Sequence, residues 1–142
     1  MKEEINLGKW DLGYLETVVR KAYQINQTGR KIDFISRQFL GTQYTEDTLI
    51  GSKKTNEMFV VNLSGMDCFT FIDYVEALRL SNSFPAFKKN LTHVRYRSDI
   101  IAFDHRNHFF SDWTAHGKDR IEDVTKKIGG THTQTARKIL NK

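Results

Sequence analysis

The sequence has one cysteine, one proline and no long apolar run, and each scarcity excludes a class of protein. A single cysteine cannot form a disulfide within the chain or a zinc site built on several thiolates, and no metal site is predicted. No stretch reaches the roughly 18 apolar residues of a membrane-spanning helix. One proline and nine glycines argue against a long flexible linker. We therefore expect one domain, residues 1–142, that folds around its own core.

The charge balance is mildly basic, with 22 Lys and Arg against 17 Asp and Glu, or +5 at neutral pH. This excess suits a polyanionic partner such as nucleic acid or cell-wall polymer, but it selects neither. The sequence has no ribonucleoprotein-type motif and no Gly-rich phosphate loop, so no nucleic-acid partner is predicted. The first residues are acidic and lack the apolar core of a signal peptide. As written, the chain is expected to stay in the cytoplasm.

Helical spacing of apolar residues predicts three helices, at residues 12–25, 31–40 and 68–80, and a weaker one within residues 121–140. Short β-prone segments predict strands at residues 59–63, around Val94 and Tyr96, and at residues 100–103. Residues 105–113 are dense in aromatic and ionisable side chains. A run of helices followed by strands indicates an α+β domain.

Cys68 is the first candidate for chemistry, because it follows Asp67 at the start of the most regular predicted helix. Unpaired backbone N–H groups and the positive end of the helix dipole favour a thiolate, the nucleophilic form, and could hold an oxyanion. The Asp67 carboxylate opposes this effect unless it turns away to cap the helix. The alternative is that Cys68 is a small buried residue, which is a frequent role of free cysteine.

A nucleophilic cysteine needs a base, and the chain offers five histidines, His93, His105, His108, His116 and His132. In a strand, the three-residue step from His105 to His108 puts the two rings on opposite faces, which disfavours a zinc site. Their alternative role is to cap a strand end or face solvent. The alternation at residues 93–97 could similarly form the rim of a groove for an anionic polymer, or only a solvated sheet face.

Five short segments follow one another in the chain, namely Phe39-Leu40-Gly41-Thr42-Gln43-Tyr44, Thr48-Leu49, Asp67-Cys68-x-Thr70-Phe71, Arg95-Tyr96-Arg97 and Arg106-x-His108-Phe109-x-x-Asp112-Trp113. In this order they resemble the N-acetylmuramoyl-L-alanine amidase-like family of the NlpC-type papain-like cysteine amidases, which cut bacterial peptidoglycan stem peptides. The resemblance covers roughly residues 30–130.

The resemblance implies an enzyme without a cofactor that acts as a monomer on a peptidoglycan fragment or muropeptide. Cys68 would be the nucleophile, Tyr44 would line the site beside it, and Asp67 would be the acidic partner at the helix start. A second wall of the groove would contain Arg106, His108, Asp112 and Trp113. His108 would stand in as the base, oriented by Asp112 or Asn107.

The chain departs from the family at its C-terminal end. Family members continue into a small β-barrel whose His-x-Gly strand carries the expected base, and they are usually exported. The chain as written ends at Lys142 without that segment. The expected fold is therefore a papain-like helical layer, with the nucleophile helix packed on a small antiparallel sheet and the barrel missing. Gln43 also replaces a proline that is common in the family, which should change little.

Three hypotheses follow for the function. The first is a cysteine amidase that hydrolyses the N-acetylmuramoyl-L-alanine bond or a nearby stem-peptide bond. The second is a truncated, inactive remnant of that family that exposes the apolar faces normally covered by the barrel. The third is a basic binding module, which rests only on the net charge of +5.

Overall fold

A computed structural model describes residues 2–136 as a helix-rich α+β fold. The six α-helices are α1 (Leu12–Tyr23), α2 (Thr28–Arg37), α3 (Cys68–Arg79), α4 (Phe84–Arg95), α5 (Phe110–His116) and α6 (Thr125–Gly129). The four strands are β1 (Glu3–Asn6), β2 (Gln43–Tyr44), β3 (Phe59–Asn62) and β4 (Gly65–Met66). Short 3-10 turns occupy Arg97–Asp99, Phe103–His105 and Gly130–His132. Within the described part, no helix is long and apolar enough to cross a membrane.

Helices α1 and α3 are confirmed. In each, an aspartate directly before the helix caps its first turn. The Asp11 carboxylate accepts the Tyr14 N–H at 2.7 Å, and α1 then buries Leu15 and Val19 one turn apart. Helix α3 begins at Cys68 as predicted. The second helix was predicted to start at residue 31, but α2 starts at Thr28 and ends at Arg37.

The strands predicted around Val94 and Tyr96 and at residues 100–103 are wrong. Helix α4 runs through this region to Arg95, because Ser83 caps it through the Ala86 N–H at 3.3 Å and Pro85 lies in its first turn. Pro85 thus lies in the first turn of a helix that was not predicted. The only β-pairing here is an isolated antiparallel bridge between Tyr96 and Arg106.

The expected small antiparallel sheet is also wrong, since both ladders among residues 2–136 are parallel. Strand β1 pairs with β3 from Glu3 and Phe59 to Asn6 and Asn62, and β2 pairs with β4. β1 is exposed along its length, whereas β3 buries its three apolar residues. The acidic N-terminal segment therefore forms a strand because it pairs with β3. Its own sequence has no pattern that indicates a strand.

Helix α3 lies at the centre of the core and packs against α1, α2 and α4. Seven of its twelve residues are buried. They meet fully buried aliphatic and aromatic side chains from the neighbouring helices, namely Leu15, Val19, Ile35, Phe87 and Leu91. The position of the helix that begins at Cys68 is therefore set by packing along most of its length.

A fully buried ion pair joins α3 to α4. Arg95 Nε donates to Asp73 Oδ2 at 2.9 Å, and Arg95 Nη1 donates to the Val60 carbonyl on β3 at 2.6 Å. The Trp113 indole N–H on α5 donates to Asp73 Oδ1 at 3.1 Å. Burial raises the pKa of the Asp73 carboxyl, and the Arg95 charge and hydrogen bonds counteract that rise. Arg95 and Tyr96 are buried, so both alternatives for residues 93–97, a groove rim and a solvated sheet face, are wrong for these two residues.

Arg95→Met should lower the free energy of unfolding by about 3–5 kcal/mol, because the Asp73 carboxylate would stay buried without its partner. Urea denaturation followed by circular dichroism measures this change. Arg37→Met is the control, since Arg37 and Asp33 form an exposed pair that should contribute little. Equal unfolding midpoints for the two variants would contradict the central role of the buried pair.

Candidate active site

Cys68 is exposed at the first position of α3, so the alternative of a small buried cysteine is wrong. The preceding Asp67 is engaged in a capping box. Its carboxylate accepts the Thr70 N–H at 2.7 Å and the Thr70 hydroxyl at 2.8 Å, while the Asp67 N–H donates to Thr70 Oγ1 at 3.0 Å. The carboxylate thus serves as the cap, which is the geometry that reduces its conflict with a neighbouring thiolate.

The first turn of α3 also provides backbone donors beside the sulfur. The regular ladder starts when the Phe71 N–H donates to the Asp67 carbonyl at 3.0 Å. The backbone N–H groups of Cys68 and Phe69 come before this bond. At these positions no carbonyl of the helix can accept a hydrogen bond from them. An exposed thiol and unpaired amides at one helix end are the parts that acyl transfer requires.

Strand pairing places Tyr44 beside this helix end. Tyr44 on β2 is in register with Met66 on β4, and the Thr45 N–H donates to the Met66 carbonyl at 3.1 Å. The approach is close at Gly65, where a Cβ atom would lie 2.4 Å from Thr45 Oγ1. Glycine therefore allows β2 to reach β4 two residues before the Asp67-Cys68 pair.

A first cavity of about 310 Å³ opens between α2, β2 and the start of α3. It is lined by Ser36, Phe39, Leu40, Gly41, Thr42, Tyr44, Met66, Asp67, Cys68 and Phe71. Desolvation raises the pKa of Tyr44, and the negative charges of Glu46, Cys68 and Asp67 raise it further. Tyr44 is thus a protonated phenol at neutral pH and can donate a hydrogen bond near the sulfur.

A second cavity of about 300 Å³ also borders Asp67. It is lined by Asp47, Thr48, Leu49, Gly51, Asp67, Phe69, Thr70, Arg106, Asn107 and His108. Asp67 lines both cavities, so the structure brings Arg106 and His108 to the region of the helix start. The residues that line the first cavity, with Cys68, include no histidine.

His108 is held by its neighbours in the segment before α5. Its Nε2 donates to the Phe103 carbonyl at 2.7 Å, and its ring packs edge-on against the Phe103 ring at 4.5 Å between centroids. Asn107 was one of two residues expected to orient His108. Its Nδ2 instead donates to the Val94 carbonyl at 3.1 Å, and its Oδ1 accepts from His116 Nδ1 at 2.8 Å.

The residues of the expected second wall are divided between three environments. Arg106 lines the second cavity and donates through Nη1 to Glu57 at 2.9 Å. Asp112 lies in the first turn of α5 and accepts the Phe109 N–H at 3.3 Å. Trp113 is buried against Asp73 in the core, so it contributes to packing and is not placed beside Tyr44.

The remaining histidines have partners or positions outside the two cavities. His93 donates to Asp99 at 2.9 Å, and His105 donates to the Arg97 carbonyl at 3.2 Å. His132 ends the last 3-10 turn. Across residues 2–136, no group of three His, Cys, Asp or Glu side chains is arranged to hold a metal ion.

Two residues of this region were missed at the level of sequence. Glu57 is buried, and its Oε1 accepts from both Arg106 and the Tyr96 hydroxyl at 2.9 Å. It therefore ties the loop before β3 to the segment that carries His108. Thr42 lies inside one of the family-like segments, but nothing in the sequence indicates that its hydroxyl is buried at the first cavity.

Most of the chain matches one family of known proteins. Residues 34–142 match the AmiA-like family, which is described as N-acetylmuramoyl-L-alanine amidase-like. The chain belongs to this family. The family resemblance inferred from the five segments is thereby confirmed, while the wider NlpC-type assignment stays a prediction. No protein with a curated description matches the chain.

Similar proteins of known structure include one from Bacteroides uniformis and one from Legionella pneumophila. An N-acetylmuramoyl-L-alanine amidase of Bacteroides uniformis is 31% identical with a TM-score of 0.64, over 79% of this chain and 48% of that one. A Legionella pneumophila protein of the family DUF1460 is 26% identical with a TM-score of 0.71, over 87% of this chain and 42% of that one. The chain thus spans less than half the length of either protein.

Asp67→Ala should destabilise the protein by about 1 kcal/mol, because the first turn of α3 would lose its cap. Asp67→Asn should retain most of that stability, since an amide oxygen can accept the same Thr70 N–H. Thermal unfolding of the two variants measures the difference. If both variants unfold at the same temperature, the capping role of Asp67 is wrong.

Glu46→Gln should lower the pKa of Tyr44 towards its ordinary value, because one of the negative charges that raise it would be removed. Cys68→Ala should lower it in the same direction. The measurement is a pH titration of ¹³C-labelled tyrosine by NMR. Glu122→Gln is the control, and a Tyr44 pKa that responds equally to all three substitutions would argue against the described arrangement.

Proposed function

We propose that this chain is the nucleophile-bearing part of a cysteine amidase of the papain-like, NlpC-type class. Its substrate would be a muropeptide, cut at the N-acetylmuramoyl-L-alanine amide bond or a nearby stem-peptide bond. The observation that carries the proposal is the exposed Cys68 thiol at the capped start of α3, beside the Tyr44 phenol and a cavity of about 310 Å³. Membership of the amidase-like family supports the substrate class.

The proposed reaction begins when the Cys68 thiolate attacks the carbonyl carbon of the scissile amide. The oxyanion that forms is stabilised by the backbone amides at the start of α3 and by the Tyr44 hydroxyl. The amine of the peptide leaves with a proton, which gives a thioester on Sγ. Water then attacks the thioester, releases the carboxylic acid and restores the thiol.

His108 is the proposed base and acid. It would take the proton from the Cys68 thiol and return it to the leaving amine, with Asp112 as its orienting partner. Its place in the second cavity, which shares Asp67 with the cavity of Cys68, supports this choice over the four other histidines. The bond from Nε2 to the Phe103 carbonyl holds the imidazole ring in place.

A binding-only function is the second candidate. The residues that line the first cavity include Cys68 but no histidine, so the described chain could hold a muropeptide without an activated thiolate. Tight binding of an intact muropeptide, unchanged by Cys68→Ala and without release of product, would favour this alternative.

Cys68→Ala should abolish cleavage of a purified muropeptide, because it removes the proposed nucleophile that forms the acyl intermediate. Mass spectrometry would follow the loss of the intact muropeptide and the appearance of the free L-alanyl amine. Cys68→Ser should retain a small fraction of the activity at most. Undiminished cleavage by Cys68→Ala would end the proposal.

His108→Gln should reduce kcat by about 100-fold or more, since general acid–base catalysis typically contributes a factor of that size. His93→Gln is the matched control, because His93 is exposed and bonds to Asp99. Both rates are measured on the same muropeptide across pH 5–9. Equal rates for the two variants would show that another group serves as the base.

A further inference from the structure

We propose that the two cavities form one cleft, in which the Thr42 hydroxyl binds the peptide side of a muramoyl-peptide and the Thr48 hydroxyl binds its sugar side. The first cavity contains Thr42 and Cys68, and the second contains Thr48 and Arg106. This inference rests on the proposed function, because it assigns the two sides of the same scissile bond.

The first argument is the state of the two hydroxyl groups. Thr42 Oγ1 and Thr48 Oγ1 are buried and make no hydrogen bond to any residue in the range 2–136. Of the six buried side-chain atoms in that condition, these two belong to residues that line the cavities beside Asp67. Buried polar atoms without a partner are rare in native proteins. A ligand in the cavity can supply the missing bond once rotation about χ1 brings the threonine hydroxyl to the cavity surface.

The second argument is how the two threonines are connected to the nucleophile. Both threonines lie on the segment that carries β2. This strand pairs with β4, which ends at Met66, two residues before Cys68. The closeness of the two strands at Gly65 restricts how far this segment can move relative to the helix start. One short ladder therefore holds the two threonines beside the two cavities that Asp67 lines.

The third argument is that one cavity has an apolar lining and the other a polar lining. This difference determines which end of the substrate each cavity would bind. Phe39, Leu40, Met66 and Phe71 give the first cavity an apolar surface. This surface suits the methyl group of the L-alanine that follows the scissile bond. Arg106, Asn107, His108 and Asp47 give the second cavity a polar surface, which suits sugar hydroxyls and an acetamido group.

The size of the cavities agrees with this division. Their volumes of about 310 and 300 Å³ each lie near the lower end of small-molecule sites. Neither volume alone suits a whole disaccharide-peptide, whereas each suits one sugar ring or one to two amino acids. Asp67, which lines both, marks the position where the scissile bond would cross the start of α3.

The test measures binding of the two half-ligands in a Cys68→Ala background, where no turnover can occur. An L-alanyl dipeptide represents the peptide side, and N-acetylmuramic acid represents the sugar side. Thr42→Val should weaken binding of the dipeptide by about fivefold and leave the sugar unchanged, because one hydrogen bond is lost without a change of shape. Thr48→Val should give the reverse pattern. NMR titration measures the dissociation constant of each half-ligand for the parent and for both valine variants.

Three controls make the outcome decisive. Thr42→Ser and Thr48→Ser keep the hydroxyl and should bind as the parent does. Thr17→Val removes a hydroxyl that already donates to the Gly13 carbonyl at 2.9 Å, and it should affect neither ligand. No binding of the half-ligands, or equal effects of both valine variants on both half-ligands, would overturn the inference.

The outcomes also separate this inference from the proposed function. If the wild-type chain does not cleave a muropeptide but the valine variants show the crossed pattern, the cleft assignment stands and the amidase proposal falls. If the wild-type chain cleaves the muropeptide and the valine variants bind like the parent, the amidase proposal stands and the roles of Thr42 and Thr48 fall.

Discussion

The ion pair between Asp73 and Arg95 is the interaction on which the rest of the fold depends. It lies in the core, and its hydrogen bonds reach β3 through the Val60 carbonyl and α5 through the Trp113 indole. Two charges buried together are tolerated only when their geometry and hydrogen bonds are good, and removal of either one leaves the other without compensation. The pair therefore specifies how α3, α4, α5 and β3 fit together.

The same helix connects this core to the candidate site. Asp73 lies in the middle of α3, and Asp67 and Cys68 lie at its start. Packing holds the helix axis, and the capping box holds its first turn, so the sulfur sits at a rigid end. The neighbouring parts of the site come from loops that reach this end through Gly65 on one side and through the Glu57–Arg106 pair on the other.

The sequence allowed the local features to be predicted and left the long-range ones open. The start of α3 at Cys68 was predictable because its cap and its apolar spacing lie within a few residues. Helix α4 was missed, although Ser83 and Pro85 are typical of a helix start. Strand β1 and the two cavities could not be predicted, because each is made by segments that meet only after folding. The burial of Arg95 could not be predicted, because basic and apolar residues alternate at residues 93–97. That alternation is also typical of a solvated strand.

The parallel pairing of β1 with β3 has a consequence for how the chain acquires its structure. Glu3 and Phe59 are partners although 56 residues separate them, and α1 and α2 lie between. Closing so large a loop is entropically costly and depends on contacts that form late, which slows folding. On the ribosome, the first strand must wait until β3 has left the exit tunnel. An affinity tag fused just before β1 would be attached to a strand that pairs late in folding. A tag placed elsewhere would not interfere with this step.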